Sequence, residues 1–234
     1  MKAVYAGTGA SAHKLNLLAQ WVRETVAQCK NGKIDVIRFI EIDIPNIVPG
    51  FYVHVEDDDK MKGVRAFISD DPLGMVVSES IYESASNGCM FSMEIILHEI
   101  GHLFLHHQYS SLSLQSHAGS YAARIKDTGT ANDAEWQATT FALCVLYPYS
   151  ELRMCKNNEE IMLRFEVTRK QAERAKRHAD RLNKRELSRV FDTEQRWLSQ
   201  VFRSLPQNGK ATTESHGPSE QLSLFKARQT INLS

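Results

Sequence analysis

Between Ser92 and Gln108 the chain reads SMEIILHEIGHLFLHHQ, and no other stretch constrains the fold as tightly. At about 100° per residue, Ile96, Leu97, Ile100, Leu103 and Phe104 cover most of a helix surface. Ile95 and Leu105 share the remaining side with His98 and His102, which lie one turn apart on a single face. A helix that is apolar nearly all round belongs in an interior. His98, Glu99 and His102 are carried inside with it, and leaving such groups unpaired costs several kcal/mol. Two neutral imidazoles at this spacing suit a divalent cation, the physical content of the H-E-x-x-H pattern. Glu99 lies on the flank of that face, too far round to ligate the same ion but able to reach a water at it. A carboxylate there is a candidate general base. Gly101, between the histidines, leaves one side open to another segment or a substrate.

A structural zinc takes four protein ligands, whereas a catalytic one takes three and a water, so a third ligand has to be found. His106 and His107 continue the same helix. The extended H-E-x-x-H-x-x-G-x-x-H pattern fails, because Leu105 and Gln108 occupy the required positions. Downstream, NDAEWQATTFALCVLYP opens on turn chemistry at Asn132 and closes at Pro148, predicting a helix from about Asp133 to Leu146. Glu135, Thr139, Ala142 and Leu146 share one face of it. A carboxylate in line with a core-facing stripe needs a counter-charge, which zinc supplies. Asp133 points elsewhere and reads as a first-turn acid favoured by the helix dipole. Glu135, 33 residues after His102, is therefore the candidate third ligand.

These residues resemble the ImmA/IrrE zinc metallopeptidases of bacteria and their mobile elements. ILHEIGHLFLHH is similar to the family's H-E-x-G-H followed by a Leu-rich turn and His. EWQATTFALCVLYP is similar to its second conserved segment, with Gln137 and Thr139 where Glu and Asn are common. IMLRFEVTRKQAERAKRHADRL, from Ile161 to Leu182, looks like the short helix, turn and second helix that close the peptidase domain. The resemblance implies Zn2+ on His98, His102 and Glu135, with Glu99 as the catalytic residue that activates water. It also implies an endopeptidase acting on a helix-turn-helix repressor, switching on genes of a mobile element, a toxin–antitoxin system or a stress response. The fold it implies is zincin-like.

With 234 residues and 42% hydrophobic content the chain can bury one good core. The four cysteines form no C-x-x-C pair, which fits reduced thiols and a cytoplasmic protein. No apolar run approaches membrane-spanning length, so no membrane partner is expected. Lys14 to Lys30 carries Leu15, Leu18, Ala19, Val22, Val26 and Cys29 at helical spacing and ends at NGK. KIDVIRFIEIDI, GFYVHVE, VRAFISD and GMVVSES are β-branched or alternating, predicting a small antiparallel sheet beside the zinc helix. Of these, GMVVSESI is the candidate edge strand for an extended substrate. The expected fold class is α+β. Residues 1–150 would form the peptidase domain, 151–206 a helical, helix-turn-helix-like segment closing it, and 207–234 a disordered tail.

The net charge is zero, yet ten Lys/Arg stand against four Asp/Glu between Arg164 and Arg189. That basic face could make weak nucleic-acid contacts, although interspersed signs more often mark a solvated helix. An alternative class follows from it: a metal-stabilised module that binds DNA or a partner without protease activity. The polar tail holds one apolar cluster, EQLSLFK. Gln221, Leu222, Ser223, Leu224 and Phe225 resemble the Q-L-S/D-L-F pentapeptide by which bacterial polymerases and repair proteins hold the DNA sliding clamp. Leu222, Leu224 and Phe225 would fill an apolar groove on that partner while Gln221 makes directional hydrogen bonds.

Overall fold

The computed structural model describes residues 9–27, 29–30, 32–70, 72–106, 133–183 and 196–201. Gln221 to Phe225 and the rest of the expected tail lie outside the described residues. The first helix, α1 (Ala12–Trp21), starts at Ser11, whose hydroxyl accepts the Lys14 amide, and runs on through a wider π-type turn at Val22–Val26. It stops short of the predicted end because Cys29–Lys30 (β1) pairs with Lys33–Ile34 (β2) as a small antiparallel hairpin. Gly32 takes the left-handed conformation there, at φ 74°.

The first correction concerns KIDVIRFIEIDI. After β2 and the cap at Asp35 it is helical, through α2 (Val36–Arg38), a π-type turn at Phe39–Asp43 and α3 (Ile44–Ile47). Its β-branched composition suggested a strand, but the buried residues Val36, Phe39, Ile40, Ile44 and Ile47 recur with helical period. Asp35 caps the run by accepting the Arg38 amide at 3.0 Å.

The sheet consists of β3 (Tyr52–Glu56), β4 (Ala66–Asp70) and β5 (Leu73–Ser78), in the order β3-β5-β4, with the short helix α4 (Asp58–Met61) between β3 and β4. β5 pairs antiparallel with β4 but parallel with β3, so the sheet is mixed rather than antiparallel. Met75 and Val77 face the core, while Gly74 lies under the Tyr52 ring opposite it. A second correction follows: the strand in GMVVSESI, β5, is the central one, with both edges already paired, and its last three residues open the helix that follows. The edge strand that packs on the H-E-x-x-H helix is β4.

After α5 (Glu79–Ser86) comes α6 (Met90–His106), the helix predicted from SMEIILHEIGHLFLHHQ. It packs against α7 (Ala134–Leu146), which in turn packs on α1. Phe104 sits between Trp21 and Phe141, with ring centroids 6.4 and 5.9 Å away and edge-on geometry to both. Arg23 reaches from the end of α1 to the Val145 carbonyl at 2.7 Å, satisfying an acceptor in the last turn of α7. No single helix among the described residues is long and apolar enough to cross a membrane.

The C-terminal part adds α8 (Tyr149–Leu152), α9 (Asn158–Phe165) and α10 (Arg169–Asn183). α10 begins with a capping box, in which Gln171 Oε1 accepts the Thr168 amide at 2.9 Å. Ala172, Ala175 and Leu182 form its buried stripe, and residues 196–201 add Trp197, Leu198 and Val201 to the core. Within that stripe His178 Nε2 lies 3.1 Å from Cys144 Sγ of α7, both side chains buried. Burial first, then Arg181 and Arg174, push His178 down from 6.5 to about 4, while burial pushes the Cys144 thiol far up. Both groups are therefore neutral at pH 7.

Because the folded state disfavours the His178 proton, the unfolded chain takes it up first as pH falls. Stability is fully present above about pH 6.5 and drains away towards pH 4. Thermal melts should show the melting temperature falling on acidification through that window. His178→Gln should flatten the dependence by up to about 1.4 kcal/mol per pH unit; an unchanged slope would remove His178 from the titrating set.

Candidate metal centre

α6 and α7 cross where neither has a side chain beyond Cβ. A Cβ added at Gly101 would come within 2.9 Å of the Ala138 Cα and 3.2 Å of its Cβ, so the two backbones are in direct contact. Within one turn of that crossing lie His98 and His102 on α6 and Glu135 on α7. The space read from the sequence beside Gly101 is filled by α7. Asp133 starts α7 by accepting the Trp136 amide at 3.0 Å, so the cap is Asp133 itself. That fixes Glu135 in the first turn, pointing across at the histidines.

The Nε2 atoms of His98 and His102 are 3.1 Å apart, with ring centroids 4.7 Å apart and planes at 80°. Glu135 straddles them, with Oε2 3.5 Å from His98 Nε2 and Oε1 3.5 Å from His102 Nε2. Ligand atoms around a tetrahedral zinc stand about 3.3 Å apart, given metal–ligand bonds of about 2.0–2.1 Å. The triangle is of that size, and two imidazoles with one carboxylate are a donor set that zinc, a borderline-soft ion, accepts, so these residues fit such an ion. Among the described residues they also form the group of His, Cys, Asp and Glu side chains able to hold a metal. The histidine side chains are about one-fifth exposed and Glu135 is 46% exposed, leaving the cluster open on the carboxylate side.

Hydrogen bonding from His102 and then His98 holds the Glu135 carboxyl well below its ordinary range. Glu99 responds in the opposite sense. Burial raises its carboxyl, the His102 and His98 charges pull it back, and Glu135 adds to the rise. An acid held in this way beside a cluster of donors is poised to exchange a proton.

Three further residues surround the cluster, of which the sequence offered only His106 a role, as the next candidate for third ligand after Glu135. Thr139 Oγ1 lies 3.2 Å from His98 Nδ1. His106 Nδ1 lies 3.0 Å from His102 Nδ1, and His106 Nε2 lies 2.8 Å from Gln137 Oε1. Both His106 nitrogens are thus engaged away from Glu135, which takes it out of the ligand set. Burial lowers His106 to about 4, and the charge of His102 adds to that. A signal was present: His98, His102 and His106 follow at four-residue spacing, and Thr139 stands four residues after Glu135. The basic helix is less free than its sequence suggests. Arg174 pairs with Glu94 of α6 at 2.5 Å and Lys176 reaches the Lys156 carbonyl at 3.5 Å, while Arg169, Lys170, Arg177 and Arg181 stay exposed.

Two imidazoles one turn apart, a carboxylate from a crossing helix and a partly buried acid beside them form a candidate metal centre of the metallopeptidase type. Residues 49–176, over half of the chain, match the peptidase family described as the IrrE N-terminal-like domain, and the chain belongs to that family. No curated protein and no solved structure matches the chain.

His98→Ala and Glu135→Ala should each abolish stoichiometric metal binding, read by elemental analysis after dialysis. Retention of one metal per chain by the Glu135 variant would move the third ligand elsewhere.

Proposed function

We propose that the protein is a zinc endopeptidase that hydrolyses a peptide bond in a protein substrate. The observation that carries this reading is the triangle of His98, His102 and Glu135 with Glu99 partly buried at its side. A zinc ion held by those three side chains would supply Lewis acidity, making water acidic near neutral pH and polarising the scissile carbonyl. Glu99 accepts a proton as the water oxygen bonds to the carbonyl carbon. As the carbon–nitrogen bond breaks, Glu99 returns that proton to the leaving amine. The outer edge of β4, packed on α6, is suited to an extended peptide adding as a further strand.

The substrate class follows from the resemblance to ImmA/IrrE peptidases: a helix-turn-helix repressor in the cytoplasm, whose cleavage releases the genes it holds silent. Glu99→Gln keeps size and hydrogen bonding but removes the base. It should bind zinc normally while cleaving such a repressor roughly 10²–10⁴-fold more slowly. Undiminished cleavage by a zinc-replete Glu99→Gln protein would end the mechanism.

A second element concerns the tail. The pentapeptide Gln221, Leu222, Ser223, Leu224 and Phe225 is proposed to dock on the DNA sliding clamp, bringing the peptidase to sites of replication or repair. Burying the three apolar side chains is worth roughly 1.5–3 kcal/mol each before ordering costs, which suits an exchangeable contact. Full-length protein should bind a bacterial clamp, and Leu224→Ala with Phe225→Ala should abolish the interaction. Binding that survives both changes would discard the assignment.

A further inference from the structure

Two hydrogen bonds away from the metal cluster sits a carboxamide whose orientation sets the polarity of the whole chain. Gln137 Oε1, a carboxamide oxygen, can accept but never donate, and it faces His106 Nε2 at 2.8 Å. With Gln137 in that orientation, His106 carries its proton on Nε2. Its Nδ1 is then a bare acceptor, and it faces His102 Nδ1 at 3.0 Å, so His102 must donate from Nδ1. With that proton placed, His102 Nε2, 3.1 Å from His98 Nε2 and 3.5 Å from Glu135, is the nitrogen whose lone pair is available to a metal. Were Gln137 turned to present its NH2 group, every donor and acceptor along the chain would reverse. His102 would then carry its proton on the ligating nitrogen.

The geometry points to Gln137 and His106 as a positioning pair that sets the tautomer and ring orientation of His102, and through it the metal affinity of the site. Gln137 and His106 are 1% and 8% exposed, so bulk water does not relay the connection. His98 is held differently. Its Nδ1 faces the Thr139 hydroxyl at 3.2 Å, a group that donates or accepts equally well and imposes no tautomer. The two metal-facing histidines are thus unequal, and the directional partner belongs to His102. Metal-binding histidines are commonly oriented through their second nitrogen. Here that orientation passes through a third imidazole to a neutral amide on the helix that also supplies Glu135.

The inference rests on the metallopeptidase reading, and the experiment separates the two. Long-range proton–nitrogen correlation spectra of the full-length, 15N-labelled, zinc-loaded protein report each histidine tautomer. His106 should appear protonated on Nε2 alone, and His102 protonated on Nδ1. Zinc affinity is then measured by competition with a chromophoric chelator. Gln137→Met, which removes the acceptor, should weaken binding roughly 10–100-fold. Gln137→Glu, which can only accept when ionised, should bind at least as tightly as the unaltered protein. A His106 proton on Nδ1 overturns the proposal, as does unweakened binding by Gln137→Met or equal loss in both variants. If Gln137→Met does not fold, the spectra of the unaltered protein decide alone. An unaltered protein that takes up no zinc defeats the metallopeptidase reading itself, whereas zinc uptake with the wrong His106 tautomer defeats only the positioning pair.

Discussion

The contact between Gly101 and Ala138 governs the rest of the molecule. Helices ordinarily pack with axes about 8–10 Å apart, the distance being set by the side chains at the crossing. Here one partner has no side chain and the other a single methyl, and a Cβ at Gly101 would already meet backbone. Metal sites tolerate ligand distances within about 0.2 Å of ideal. Widening the crossing by one methyl would carry Glu135 beyond that tolerance from His98 and His102. The requirement for glycine inside H-E-x-x-H is therefore one of helix spacing. It would otherwise be a liability, since glycine in a helix interior costs about 1 kcal/mol relative to alanine.

Much of the site was legible because its residues obey helical period on two segments that also carry the core. Ile96, Leu97, Ile100, Leu103 and Phe104 fix which way α6 faces, and His98 and His102 follow from that. Glu135 follows from the same logic on α7. The outer contacts were harder to read, since Gln137 and His106 meet across the helix crossing, and separation in sequence says nothing about that meeting. The strand assignments failed for a different reason. In Val36 to Ile47 composition favours strand while spacing favours helix, and tertiary burial of the helical face decided between them. The parallel pairing of β3 with β5 has no local signature, because β4 lies between them in sequence but not in space.

The C-terminal helices act on the centre through α6. Arg174 of α10 pairs with Glu94, one turn before His98, and α10 also packs on α7 through His178 and Cys144. The Arg174–Glu94 pair is 42% and 18% exposed, so its contribution is reduced by solvent, and it serves mainly to fix orientation. Positive charge in this region is thus divided. Arg174 supports the fold, and the exposed Arg169, Lys170, Arg177 and Arg181 make the solvated face. A count of charges along the sequence adds the two together, which overstates the surface available to an acidic partner.

The relation between core and centre also determines where metal-binding energy goes. In a small zinc-dependent module the ligands come together only when the ion binds, and affinity is consumed in folding. Here α6 and α7 are held by apolar contacts that involve none of the ligands: Phe104 against Trp21 and Phe141, and Ile96, Leu97 and Ile100 buried beneath. Those contacts bring the two Nε2 atoms and the carboxylate to 3.1–3.5 Å of one another. At that separation the two imidazoles hydrogen-bond the Glu135 carboxylate. A cation held by His98, His102 and Glu135 would replace those hydrogen bonds without reorganising either helix. Metal-binding energy would therefore be expressed as affinity and orientation rather than as folding, with the open side of Glu135 held in place by the two helices.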